Sequence, residues 1–325
     1  MKSLQLVAGV DVSKDTLDVF YNDQAGKEHY LKVSNDMPGF SLLLQKAGLQ
    51  RTFVMEMSGP YYLRFAFFLS KAGADVRVEN PLVIKRFIQM QLERNKNDRK
   101  DARWLYRYAA QREAPVWSVP DNKQLQCTQI ISSADLLTRQ LTQLHNQLHA
   151  IDQSPVVCKQ AVKAINQTII TLTKQLALLE IKLTQLLAEW QGEQLKNISS
   201  IPGLGKKAVA LLIVYTNGFK KIANYKQLIA LAGLAPKEYS SGTSIRGKTS
   251  ICKMGNGHLR NVLYMCAMSA IKHNTSCKDL FNRLKAKGKN GKLALIAVCN
   301  KLLKQAFAIA TKGQMYQDGY SSGIH

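Results

Sequence analysis

The sequence predicts a three-part chain: a mixed α/β domain over residues 1–118, a helical coiled-coil segment over 119–196 and a mainly α, strongly basic domain over 197–325. Three observations predict it. Apolar runs of strand length alternate with helix-length amphipathic stretches up to about residue 118. Apolar residues then recur at alternating spacings of four and three, interrupted at Ser154-Pro155. From Ile201 to Lys312, 20 Lys and Arg stand against two acids, Glu238 and Asp279.

Composition narrows the function classes. The chain has 325 residues, with 45 Lys and Arg against 22 Asp and Glu, for a net charge of +23. Such an excess favours a polyanionic partner, either nucleic acid or an anionic membrane. No run of 18 uncharged apolar residues appears and no signal-peptide apolar core opens the chain, so the expectation is a cytoplasmic protein without a membrane partner. The six cysteines (Cys127, Cys158, Cys252, Cys266, Cys277 and Cys299) form no Cys-x-x-Cys pair. They read as reduced packing residues, not as a zinc ribbon or disulfide frame.

Val7 to Val12 is a small or β-branched run holding one carboxylate, Asp11, and reads as a buried strand. Leu17 to Tyr21 alternates across Asp18 as a half-buried strand does, and Asn22 to Lys27 supplies a hairpin turn at Gly26. His29 to Val33 is a third strand. Met37 to Leu49 is helical and stops near Gly48, Thr52 to Met57 is a fourth strand, and Pro60 opens a helix to about Ala72. Asp75 to Glu79 is a fifth strand, followed by helical patterns from Leu82 and from about Asp98. A three-stranded meander and then alternating helix and strand gives a mixed sheet flanked by helices. That order suits the ribonuclease H-like architecture, and other α/β folds as well.

Four acids stand where a metal site would need them. Asp11 and Glu56 each follow an apolar strand and precede a turn, while Asp98 and Asp101 are three residues apart and share a helical face. A buried carboxylate needs a cation or strong donors, and clustered carboxylates suit Mg²⁺ or Mn²⁺. The plainer alternatives are a turn-capping Asp11 and a solvated helix start at Asp98 and Asp101. Around the last two lie Lys96, Arg99 and Lys100, candidate phosphate contacts.

In the middle segment, Ile130, Ala134, Leu137, Leu141, Leu144, Leu148 and Ile151 form one heptad stripe; Val162 to Trp190 forms a second. Two such helices pair within the chain or with another copy. In the last domain, Gly203-Leu204-Gly205-Lys206-Lys207 precedes an apolar run and resembles a helix-hairpin-helix motif, whose exposed N–H groups grip phosphate. Residues 239–248 form a Ser/Gly-rich loop with Arg246 and Lys248. By composition it is a phosphate-contacting loop with no obvious base for a serine nucleophile.

Gly9-Val10-Asp11-Val12-Ser13-Lys14, Glu56 with Ser58-Gly59-Pro60-Tyr61, and Lys96-Asn97-Asp98-Arg99-Lys100-Asp101-Ala102 together resemble the RuvC-like DEDD domain of the insertion-sequence-110 family of transposases. The Piv and MooV DNA invertases belong to the same family. Gly233-Leu234-Ala235-Pro236, Ser241-Gly242 and Lys253-Met254-Gly255-Asn256-Gly257-His258-Leu259-Arg260 resemble its C-terminal transposase domain. The resemblance implies an RNase H-like fold in which Asp11, Glu56, Asp98 and Asp101 hold Mg²⁺ or Mn²⁺. It also implies a nucleophile, the serine before the glycine, that joins covalently to DNA; the match lands on Ser241, beside a second hydroxyl, Ser240. Lys253 and Arg260 join the nucleic-acid contacts. Asn97 departs from the pattern, standing where a small hydroxyl residue is common. Implied partners are element-end and target DNA, a structured bridge RNA and further copies of the chain, as dimer or tetramer, in a bacterial nucleoid. A RuvC-like nuclease using water and a non-catalytic nucleic-acid scaffold are the alternatives.

Overall fold

The computed structural model describes residues 6–92, 97–237, 240–241, 245–246 and 250–318, and the side chains of residues 238–249 lie outside that description. Lys96 and Lys248 therefore fall outside the described residues, as do the side chains of Ser241 and Arg246. The chain divides into two compact units, Met1–Pro120 and Asp121–His325.

The first unit is built on β1 (Val7–Val12), β2 (Thr16–Asn22), β3 (Glu28–Ser34), β4 (Thr52–Glu56) and β5 (Asp75–Glu79), in the sheet order β3-β2-β1-β4-β5. The meander β1–β2–β3 is antiparallel, and β4 and β5 extend the other edge in parallel. The helices are α1 (Met37–Ala47), α2 (Tyr62–Lys71), α3 (Pro81–Met90) and α4 (Asp98–Gln111). All fall where the apolar pattern placed them. Asp36 caps α1 by accepting from Gly39 N–H at 2.9 Å, and Gly48 ends it with φ 81°.

Alternation along the strands separates two cores. Ala8, Val10, Val12, Leu17, Val19, Phe53 and Met55 pack with Phe40, Phe65 and Leu69 from α1 and α2. Val7 and Val54 turn to the opposite face and pack with Ile84, Phe87, Trp104, Leu105 and Tyr108 from α3 and α4. Each fully buried aromatic contributes roughly 1.5–3 kcal/mol. By the same alternation Gly9, Asp11 and Glu56 belong to the face that α4 covers.

The second unit begins with α5 (Asn122–Asp152) and α6 (Lys159–Ser199), which lie against each other and leave most heptad leucines half-buried. Gln191 breaks the helical conformation inside α6 (φ −141°, ψ 44°). There follow α7 (Lys206–Tyr215), α8 (Tyr225–Leu231), the short strands β6 (Pro236–Lys237), β7 (Ser240–Ser241), β8 (Ile245–Arg246) and β9 (Ser250–Ile251), then α9 (Gly257–His273), α10 (Thr275–Ala286) and α11 (Gly291–Lys312). The core gathers α7, buried on every side from Ala208 to Val214, with Leu263, Ala267, Val298 and Leu302.

Arg283 and Lys285 of the Lys-rich stretch lie on α10, which Asn274 nucleates by accepting from Cys277 N–H at 3.1 Å. Residues 313–318 dock on the core: Tyr316 donates its N–H to Ser200 Oγ at 2.7 Å and its hydroxyl to Asn274 Oδ1 at 3.2 Å. α11 is long and apolar enough to cross a membrane, yet Ala294, Val298, Leu302, Leu303 and Ala306 are fully buried in the protein, as in a core helix.

Candidate active site

The site begins with a glycine. A Cβ on Gly9 would stand 2.0 Å from Tyr106 N and 2.6 Å from Ala102 O, so the backbone of α4 rests directly on β1. No other residue type permits that approach. It brings the first turn of α4, carrying Asp98 and Asp101, toward Asp11 two residues along the strand. Asn97 caps that turn by accepting from Lys100 N–H at 2.8 Å, which supplies a physical role for the residue that departs from the family pattern. Glu56 ends β4, the parallel neighbour of β1.

The neighbouring acids act on Asp11. Burial, followed by the charges of Asp101, Glu56, Asp98 and Asp18, pushes the Asp11 carboxyl from 3.8 up to about 7. All four acids named from the sequence are thus within electrostatic reach of one point. Among the described residues no three acids, histidines or cysteines stand close enough together to ligate an ion as they are. The donor set is nevertheless all carboxylate oxygen, the chemistry of a hard divalent ion, and mutual repulsion is the strain that such an ion relieves.

Two acids that sequence reasoning passed over flank this group. Asp18 pairs with Asp11 across β1–β2 and is buried; it accepts the Tyr30 hydroxyl at 2.5 Å and meets Lys32 Nζ at 3.1 Å. Glu79 of β5, opposite Glu56, accepts the Tyr108 hydroxyl of α4 at 2.6 Å and the Asn80 N–H at 2.7 Å. Burial and these carboxylates push both phenols up to about 12, so each remains a proton donor. An acid inside an otherwise apolar strand was the available signal. Arg99 lies over the Tyr30 ring, its guanidinium carbon 4.7 Å from the centroid.

In the second unit the segment bearing Ser241 is closed at its base. Pro236 and Lys237 pair with Ile251 and Ser250, while Ser240 and Ser241 pair with Arg246 and Ile245. Arg260 donates to Ala232 O at 3.1 Å and Lys253 O at 3.5 Å, so its guanidinium ties the two flanks of the segment together. Lys253 adopts φ 59°, and a Cβ on Gly255 would stand 2.5 Å from Gly233 N. The sequence motifs at 233–236 and 253–260 are thus one packed seam.

Gly203 has φ 89° and its missing Cβ is replaced by Ala270 of α9 at 2.5 Å, a close-packing reason for glycine, whereas nothing lies within 4 Å of the Cβ position of Gly205, the cap of α7. Beyond Lys206, Lys207 meets Asp135 of α5 at 3.0 Å, and the same carboxylate holds His258 Nδ1 at 2.8 Å. Burial lowers the His258 imidazole, Asp135 raises it and Lys207 lowers it, with the net downward.

Clustered acids on a mixed sheet, in one chain with a basic helical unit, define a protein that processes nucleic acid. Residues 195–282 match the family model described as Transposase IS116/IS110/IS902 family, and residues 8–152 match the DEDD transposase model of IS110 elements. The pilin gene-inverting protein of Moraxella lacunata is 25% identical over 316 residues, covering 95% of this chain and 96% of that protein. The transposase for insertion sequence element IS1111A of Coxiella burnetii is 23% identical over 348 residues, covering 98% and 93%. An insertion element IS110 protein of Streptomyces coelicolor is 28% identical over 127 residues, covering 39% and 31%. The chain belongs to the IS110/IS116/IS902 family of transposases. Its enzyme class is that of DNA-processing recombinases, and DNA is the polyanion its charge anticipates.

Proposed function

We propose that the chain cleaves and rejoins the DNA of a mobile element through Ser241, with Asp11, Glu56, Asp98 and Asp101 holding Mg²⁺ or Mn²⁺ on an RNase H-like, RuvC-like sheet. The observation that carries this is the gathering of Glu56, Asp98 and Asp101 about Asp11, a site of oxygen donors only, in which burial and then like charges hold the Asp11 carboxyl at about 7. The strand order β3-β2-β1-β4-β5, antiparallel and then parallel, supports the fold assignment. Bound divalent ions would neutralise charge on the attacking and leaving oxygens of a phosphodiester.

The chain's own groups do the rest. Ser241 Oγ bonds to phosphorus as one P–O bond to a sugar breaks. The serine loses its proton and the departing sugar oxygen gains one. One phosphoester replaces another, so reversal of the same step reseals a strand without an outside energy source. The pinned flanks at Gly233 and Lys253 support a fixed placement of the serine segment. Lys206, Lys207, Arg246 and Lys248, with Lys96, Arg99 and Lys100 in the first unit, neutralise backbone phosphates without reading sequence. The turn before α7 serves as a helix-hairpin-helix-like grip.

The net charge of +23 supports a structured bridge RNA as a second polyanion. The half-buried heptad stripes of α5 and α6 support a coiled-coil arm that joins copies into a dimer or tetramer, Ser241 serving acids of its own or a partner copy. The functional division is then 1–118, 119–196 and 197–325. The test is incubation with Mg²⁺, element-end DNA and candidate RNA, followed by a denaturing gel. A protein–DNA band that vanishes in Ser241→Ala is expected. A band persisting in that variant rejects the serine role, and cut DNA with free ends and no band transfers the attack to water.

A further inference from the structure

Two ladders of the sheet place a second set of side chains beside the acids. Asp11 pairs with Asp18, and Asp18 with Lys32; one step along, Gly9 pairs with Phe20, and Phe20 with Tyr30. Directly opposed residues project from one face of a sheet, so all six lie on the side that α4 covers. Two acids facing each other across β1–β2 repel, and an apolar residue at position 18 would be the cheaper choice. Asp18 is instead buried to 3% exposure and held by Lys32, whose side chain is 48% exposed.

What Asp18 holds in turn is Tyr30. The phenol donates to it at 2.5 Å, and the ring lies 5.3 Å from that of Phe20. These two rings form a seat for α4. Arg99 lies 4.7 Å above Tyr30, and Arg103, one turn on, lies 5.8 Å from Phe20 and meets Glu28 at 2.9 Å. Residues four apart share a helical face, so both arginines reach the same hairpin. Arg99 sits in the turn that carries Asp98 and Asp101. Contact at Gly9 sets how closely α4 approaches β1; the arginine seats set its rotation.

We propose that Asp18, Tyr30 and Arg99 are positioning residues that orient the first turn of α4, and with it Asp98 and Asp101, toward Asp11. This rests on the metal-site reading above and deepens it. None of the three needs to touch the ion: outer partners of a metal site commonly change its affinity ten-fold or more by fixing the inner ones.

The test is direct Mn²⁺ binding by the full chain without nucleic acid, titrated by electron paramagnetic resonance of the free ion, with melting temperature measured in parallel. Asp18→Asn and Tyr30→Leu are expected to weaken Mn²⁺ binding about ten-fold. Tyr30→Phe keeps the ring under Arg99 but cuts the link to Asp18, and falls between them and the parent. Arg99→Met, at an exposed position, reproduces the loss even if the variants at buried Asp18 and half-buried Tyr30 fail to fold, and Arg99→Lys, which keeps a cation over the ring, restores part of it. Asp11→Asn is the control, expected to abolish binding. Should Asp11→Asn lose the ion while folded Asp18→Asn, Tyr30→Leu and Arg99→Met bind it as the parent does, the positioning role is overturned and the metal site stands. Should the parent bind no Mn²⁺, or Asp11→Asn bind it undiminished, both fall together.

Discussion

Replacing Asp11 by asparagine tests the electrostatics of the site without any substrate. The folded chain holds the Asp11 proton to about pH 7, whereas an unfolded chain releases it near 3.8. Between those values the folded state binds more protons, so stability falls as pH rises, and the deficit is complete above about pH 7. At 1.36 kcal/mol per unit, the ceiling on the loss is about 4 kcal/mol. Asparagine keeps the shape and removes the charge. Metal-free Asp11→Asn is therefore expected to match the parent near pH 4 and to exceed it at pH 8 by up to about 4 kcal/mol. Urea unfolding in EDTA, followed by Trp104 and Trp117 fluorescence in a Trp190→Phe background, reads the first unit alone. Added Mg²⁺ should then stabilise the parent at pH 8 more than at pH 5, and leave the variant unmoved. A gap between parent and variant that is the same at both ends of the pH range would refute the crowding of acids around Asp11.

Other substitutions probe the scaffold. Gly9→Ala places a methyl 2.0 Å from Tyr106 N, so α4 must lift away from β1; a loss of about 3 kcal/mol or more and of Mn²⁺ binding is expected from urea melts and ion titration. Asn97→Ala removes the cap of α4 and should cost about 1 kcal/mol, with faster amide exchange confined to its first turn, while Asn97→Ser should restore most of it. Asp135→Asn leaves Lys207 beside His258 without their shared carboxylate, so the imidazole should titrate still lower, read by NMR. Because the folded His258 resists protonation, the parent should lose stability as pH falls below about 6.5, and the variant should lose more.

The strands of the first unit were legible because each is a short run bounded by turn residues, Asp11 and Glu56 because they interrupt or end such runs, and Asp98 with Asp101 only by their three-residue spacing on one helical face. What the sequence hid is non-local. Asp18 sits in an alternating strand where a polar residue reads as solvent-facing; only the ladders to Asp11 and Lys32 reveal that it is buried. Gly9 passes for one more small residue of a strand until α4 is laid across it. Arg260 reads as a phosphate contact, and its further task, Nη1 donating to the backbone carbonyls of Ala232 and Lys253, could not be read from the sequence. The second task of Asn274, receiving the Tyr316 hydroxyl and holding Gln305, was equally silent, since both residues lie more than 30 positions away.

The bare backbone contact between Gly9 and the stretch Ala102–Tyr106 carries a consequence for how such chains diverge. A helix turns about 100° with each residue, so inserting or deleting one position between Asp101 and that contact would swing both acids away from the sheet. Spacing within residues 98–106 is thereby locked by geometry. Length differences among relatives should accumulate at hairpin tips and connections, leaving this nine-residue interval uniform even where little else in the alignment is.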